Sequence, residues 1–117
     1  MEKSMKAVYV QKGDSIDHTP SSDVAAGDVV IIGEKTLGIA KLDIKANELG
    51  ALSLVGVFDV AKEAGTGTAL AAGINVYWDA TNQVVTSDAN GGANINMGRT
   101  IAPATDDDTT ARVRLRQ

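Results

Sequence analysis

Gly73-Ile74-Asn75-Val76-Tyr77-Trp78-Asp79 is the stretch whose reading decides the fold. It holds the only tryptophan and one of the two tyrosines of a chain with 3% aromatic residues. Val76, Tyr77 and Trp78 alternate as in a short β-strand, with Gly73 ahead and the turn-forming run Asp79-Ala80-Thr81-Asn82 behind. Val84-Val85-Thr86 then returns beside it as the second arm of a hairpin. Large rigid side chains dominate burial in a small core, so Phe58, Tyr77 and Trp78 are the expected core anchors.

The same arrangement occurs earlier in the chain. Ala25-Ala26-Gly27 ahead of Val29-Val30 matches Ala71-Ala72-Gly73 ahead of Val76-Tyr77. Each is followed by a turn and a second short strand; in the first half 29–32 turns through Gly33-Glu34-Lys35-Thr36 into 37–42. Gly38-Ile39-Ala40 with Asp43 has a looser echo in 98–102 with Asp106. Both halves close on alternating runs, Ala51-Leu52-Ser53-Leu54-Val55 and Ala111-Arg112-Val113-Arg114-Leu115. Short, regularly spaced strands with turn signals between them predict an all-β fold with little or no helix. The expectation is a small β-barrel or sandwich with a weak internal duplication, its halves at about 25–64 and 65–117. An extended amino-terminal arm and loop over 1–24 precedes this single β domain.

Within that plan, Ala7-Val8-Tyr9-Val10-Gln11 is expected as a strand and 15–24 as an irregular loop. Residues 51–60 form the longest strand candidate, with Leu52, Leu54, Gly56 and Phe58 on one face. Residues 43–50, 62–70, 87–94 and 103–110 are expected as loops, and 95–102 as a further strand.

Composition narrows the function. With 117 residues this is one domain. The hydrophobic fraction is 44%, but much of it is alanine. At roughly 25 cal/mol per Å² of apolar surface buried, such a core is marginal for a monomer, and association with copies of itself or another surface is expected. Net charge is −4, which disfavours a nucleic-acid partner, because that needs clustered cations. There are no cysteines, so disulfides, thiolate zinc sites and thiol nucleophiles are excluded. No run approaches the roughly 18 apolar residues of a membrane-spanning helix, and Met1-Glu2-Lys3-Ser4-Met5-Lys6 is too polar for a signal peptide. Synthesis in a cytoplasm is the expectation.

No catalytic constellation emerges. His18 is the only histidine and has no local acid–base partner. Ser21, Ser22 and Ser53 lack a nucleophile motif, and Asp43, Asp59 and Asp79 sit near strand ends, where aspartate caps turns. Gly65-Thr66-Gly67-Thr68 is not a phosphate loop, since no lysine follows Gly67. Asp106-Asp107-Asp108 lacks the ligand spacing of a calcium loop and is expected as a solvated acidic loop. No cofactor or metal is expected. Arg112, Arg114 and Arg116 alternate with Ala111, Val113 and Leu115, so a strand here puts three guanidinium groups on one face. That stripe is either a solvated outer face or a surface that meets carboxylates of a neighbouring subunit.

Six stretches together resemble a known family: Gly27-Asp28-Val29-Val30, Gly38-Ile39-Ala40, Gly56-Val57-Phe58-Asp59-Val60-Ala61-Lys62, Val76-Tyr77-Trp78-Asp79, Val84-Val85-Thr86 and Val113-Arg114-Leu115. The pattern is similar to that of small tailed-phage and prophage capsid cement (decoration) proteins of the DUF2190 type, some of which carry a recombinase label. The likeness covers roughly 6–117. Ala61 stands where members commonly have proline before the lysine, and Ile74 departs from the frequent Gly-Asp, so that turn differs.

The resemblance implies a non-enzymatic β-rich protein on the outside of an icosahedral phage head. It would bind the major capsid protein and copies of itself, as homotrimers at three-fold and quasi-three-fold positions. The arm residues Ala7, Val8, Tyr9, Val10 and Gln11 would then add a strand to a coat-protein or neighbouring edge. Three other readings stand beside this one. An enzyme subunit or small carboxylate hydrolase built on paired aspartates needs a deep pocket with two facing carboxylates. A tail or baseplate structural protein differs only in its partner. An ATP-dependent recombination protein needs a phosphate loop and a basic groove, and neither is legible.

Overall fold

Turn chemistry sets the strand boundaries of this all-β chain. The computed structural model describes residues 6–116. Among them lie β1 (Ser15–His18), β2 (Val29–Ile32), β3 (Thr36–Ile39), β4 (Gly50–Ser53), β5 (Gly56–Ala61), β6 (Asn75–Asp79), β7 (Val84–Thr86), β8 (Ile95–Thr100) and β9 (Thr110–Leu115). The β2–β3 and β6–β7 hairpins form where the sequence predicts them. Gly27 and Gly73 take φ of 92° and 77° just ahead of β2 and β6, a conformation that strains any other residue. A single 3₁₀ turn, Asn90–Gly92, is the helical content of the described residues.

The strands make two antiparallel sheets in a sandwich-like arrangement, ordered β1-β4-β3-β2 and β5-β9-β8-β6-β7. There is no closed barrel. The second sheet curls until Lys62, just past β5, bridges Val85 of β7.

Two expectations are corrected. The 51–60 stretch is not one strand: it divides at Leu54 and Val55 into β4 of the first sheet and β5 of the second. Gly56, at φ 131°, permits the change of direction. Leu52 and Phe58, expected on one face, therefore serve different sheets. The 15–24 segment is not wholly irregular either. Ser15–His18 pairs with β4 in the register Ser15↔Ser53 to His18↔Gly50. Its alternation is hidden because, of the two inward positions, only Ile16 is apolar and the other is His18.

The main core lies between the sheets. Val60, Leu70, Val76, Trp78, Val85, Met97, Val113 and Leu115 meet Leu37 and Ile39 of β3 there. Ala40, Ile44 and Leu52 form a smaller cluster on the other side of the first sheet, with Ile16, Val24, Val30 and Ile32 packed against it. In β2, Val29 packs on the main cluster and Val30 and Ile32 on the smaller one, which accounts for its apolar run except at Ile31, which is exposed. Of the three expected anchors, Trp78 is 5% exposed and Phe58 packs partly buried against the main cluster. Tyr77 is half-buried and belongs to neither cluster. The strand period of two puts it on the opposite face from Trp78.

Each half contains the same crossed pair of turns. Val24 and Ile44 exchange backbone hydrogen bonds of 2.8 and 2.8 Å, and Leu70 and Ala104 do so at 2.9 and 2.8 Å. The Gly27 and Gly73 amides then donate to Ala40 and Thr100 at 2.6 and 2.8 Å. This is the structural counterpart of the Ala-Ala-Gly echo. In the first half the crossing is reciprocal: the Ala46 amide donates to Asp23 Oδ1 at 2.9 Å and the Ala26 amide to Asp43 Oδ1 at 2.8 Å. Asp43 and Asp106 are not equivalent, since Asp43 precedes its bridging residue by one and Asp106 follows its own by two. Both nonetheless accept amides from the crossing turn.

Candidate functional site

The described part of the arm leaves the body as extended chain. Residues 7–12 form no strand, which corrects the expectation for 7–11: the segment is paired with none of the edge strands of the two sheets. The body's last tether is the Leu54 amide donating to Asp14 O at 2.9 Å. Val8, Tyr9 and Val10 are 66%, 82% and 86% exposed. Among the described residues, no hydrogen bond holds 7–10 to the rest of the molecule. A Val-Tyr-Val run of high strand propensity thus carries unpaired backbone donors and acceptors into solvent. Residues 1–5 of the expected arm lie outside the described residues.

The second feature is a cationic face on the second sheet. All four arginines of the chain, Arg99, Arg112, Arg114 and Arg116, lie on or next to the adjacent strands β8 and β9. Alternation on β9 buries Ala111, Val113 and Leu115 and exposes Arg112, Arg114 and Arg116, the shared face that the sequence predicts. Arg112 is neutralised within the chain. It sits opposite Asp59, with Nε 2.9 Å from Oδ1 and Nη2 3.2 Å from Oδ2. That hydrogen-bonded pair, with its charge attraction adding, holds the Asp59 carboxyl below its ordinary value and raises Arg112 above its own.

Arg114 and Arg99 are placed otherwise. They face each other directly across β9 and β8, a like-charge pair that costs stability in a sheet. No described carboxylate forms an ion pair with either of them or with Arg116. Arg99 Nε donates to Asn75 Oδ1 at 3.3 Å. Together with Arg116, Asn96 and Ile101 they line an open groove of about 540 Å³. A second groove, of about 560 Å³, shares Asn96 and Arg116 and is lined by Tyr77. Arg99 is the site residue that sequence reasoning misses. Its place beside Arg114 depends on the β8–β9 register, and no local pattern states that register.

The remaining candidates are structural. His18 ends β1 opposite Gly50. Asp79 accepts the Asn82 amide at 3.1 Å, the Asn82 side chain at 2.8 Å and the Thr81 amide at 3.0 Å. Those bonds, Asn82's first, hold its carboxyl below the ordinary value. In the 103–110 loop, Asp108 Oδ2 accepts the Thr105 amide at 2.7 Å and Asp106 Oδ1 accepts the Thr68 and Ala69 amides at 3.1 and 2.9 Å. The Thr68 amide of the Gly65-Thr66-Gly67-Thr68 loop thus already serves a carboxylate, which would repel a phosphate. No group of three or more His, Asp or Glu among the described residues is placed to hold a metal ion. Lys62 is 5% exposed, and its Nζ donates to Glu63 O, Thr68 Oγ1 and Asp108 O at 2.9, 3.0 and 3.1 Å. It clamps two loops together.

A family model described as phage cement protein matches residues 10–115. The chain belongs to that family. No curated protein and no solved structure matches it. Cement proteins are structural components associated with the phage capsid, and that is the role membership gives this chain. The match begins at Val10, so Ala7, Val8 and Tyr9 lie ahead of it. No helix among the described residues is long and apolar enough to cross a membrane.

Proposed function

We propose that this cement protein decorates the outer surface of an icosahedral phage head as homotrimers at three-fold and quasi-three-fold positions. There it bridges neighbouring copies of the major capsid protein and braces the shell against the outward pressure of packaged DNA. The observation that carries the reading is the arm: Val8, Tyr9 and Val10 are exposed and extended, with backbone groups that nothing among the described residues pairs. Such a segment gains main-chain hydrogen bonds by adding as a strand to the edge of a coat subunit or of a neighbouring copy, with little demand on the partner's sequence. Many modest contacts over a shell make attachment strong.

The test is co-sedimentation with purified capsids lacking the protein, using the full chain, a variant without residues 1–12 and Tyr9→Pro. Proline removes a donor and is poorly tolerated in a paired strand. Both variants should keep the wild-type melting temperature and lose capsid binding about tenfold or more. Unchanged binding by the truncated chain would remove the arm from the mechanism.

A further inference from the structure

The arginine groove has an unusual combination of properties. Arg99 and Arg114 are opposed across adjacent strands, Arg116 follows on the same face, and no described carboxylate neutralises them, although the chain carries a net charge of −4. Asn75 holds the Arg99 guanidinium in place, so its donors are oriented in advance. A like-charge cross-strand pair is unfavourable in the isolated sheet, and an anion between the two reverses the sign of that interaction.

At the other end of β9 stands an acidic turn. Its geometry is set by the Thr105–Asp108 bonds and by Asp106 bound to the 68–69 amides. Asp106 and Asp108 are engaged there, while Asp107 is exposed at the tip. The turn precedes the start of β9 at Thr110, whereas Arg114 lies near the far end of that strand, and no ion pair within the molecule joins Asp107 to the groove arginines.

The geometry points to a head-to-tail contact between copies of this chain, with the Asp107 turn of one copy seated in the Arg99–Arg114–Arg116 groove of the next. Arg114 and Arg99 supply forked donors that suit a carboxylate, and Ile101, 48% exposed at the groove, adds apolar cover. Such a contact uses two different patches, so it closes into a ring when the rotation allows. Three copies is the closure that fits the proposed trimer, and only that number rests on the proposed function.

The experiment is sedimentation velocity of the full chain at low and high salt, with Arg114→Glu, Asp107→Arg and the double variant. The carboxylate introduced by Arg114→Glu would lie opposite Arg99 in an attractive cross-strand pair, so the sheet is not endangered, and far-ultraviolet circular dichroism checks the fold. Wild type should associate, more weakly as salt rises. Each single variant should weaken association about tenfold or more, and the double variant should lose less than the two single losses combined, because both changes remove one shared contact. A wild type that stays monomeric, single variants that associate normally, or a double variant whose loss equals the two single losses combined would each overturn the contact. The same samples sedimented with capsids keep the two readings apart. Arm-dependent capsid binding without self-association sinks only the ring contact, and loss of both sinks the decoration role.

Discussion

Arg112 and Asp59 face each other across β9 and β5 and join at two points, Nε to Oδ1 at 2.9 Å and Nη2 to Oδ2 at 3.2 Å. Neighbouring Arg114 is opposed by Val57 on one side and Arg99 on the other. The two arginines are two residues apart on one face, yet one is ion-paired within the fold and the other meets no described carboxylate.

That pair sets an acid dependence. A carboxyl held below its unfolded value contributes stability that is fully present above the unfolded value, about 3.9 for aspartate. The contribution is lost as pH falls through the lower folded value. Asp59 and Asp79 are both held down in this way. Thermal melts from pH 7 to pH 2 should therefore show Asp59→Asn losing less stability on acidification than wild type. Adding Asp79→Asn should flatten the profile further. Equal acid losses in all three proteins would show that neither bond matters energetically.

Gly98 is a point of close backbone approach. It has φ of 147°, and a Cβ built there meets the Arg114 carbonyl oxygen. Gly98→Ala should cost about 2–4 kcal/mol through strain and displaced β9 backbone. Gly33→Ala has φ of 65° but open space around the Cβ position and should cost only about 1 kcal/mol. Urea denaturation of both variants measures the contrast, and equal losses would mean that the β8–β9 approach is not the cause.

Lys62 is a buried clamp whose removal leaves the Glu63 and Asp108 carbonyls and the Thr68 hydroxyl without its donors. Lys62→Met keeps most of the apolar stem and should cost about 1–3 kcal/mol. Hydrogen exchange should speed up first at the Thr68 and Ala69 amides, which the same cluster holds. Exchange that stays at the wild-type rate there would argue against a clamp.

Trp78 and Tyr77 are neighbours with opposite fates. Trp78→Ala should cost about 3–5 kcal/mol, in the range of a buried aromatic, with Trp78→Phe as the milder variant if the chain fails to fold. Tyr77→Ala should cost about 1 kcal/mol or less, because the ring lines an outer groove and no core cluster includes it. Denaturant midpoints decide this. A Tyr77 loss as large as that of Trp78 would mean that the outer face is structurally coupled to the core.

Much of this protein was determined by local sequence. Gly27 and Gly73 before their strands, the Asp79 turn and the alternation of Ala111 through Arg116 each state a backbone angle or a face within a few residues. The β-class, both hairpins, the internal duplication and the shared arginine face were accordingly legible; the crossed turns that repeat with it were not. The tertiary structure alone decided which edges meet. It split the apparent strand at 51–60 between two sheets and drew Ser15–His18 onto β4. It left residues 7–11 outside any strand, buried Lys62, and set Arg99 opposite Arg114 while Arg112 found Asp59. Those outcomes depend on register between segments distant in the chain, where a shift of one residue turns every side chain to the other face. No short stretch of sequence contains that register; packing of the two cores selects it.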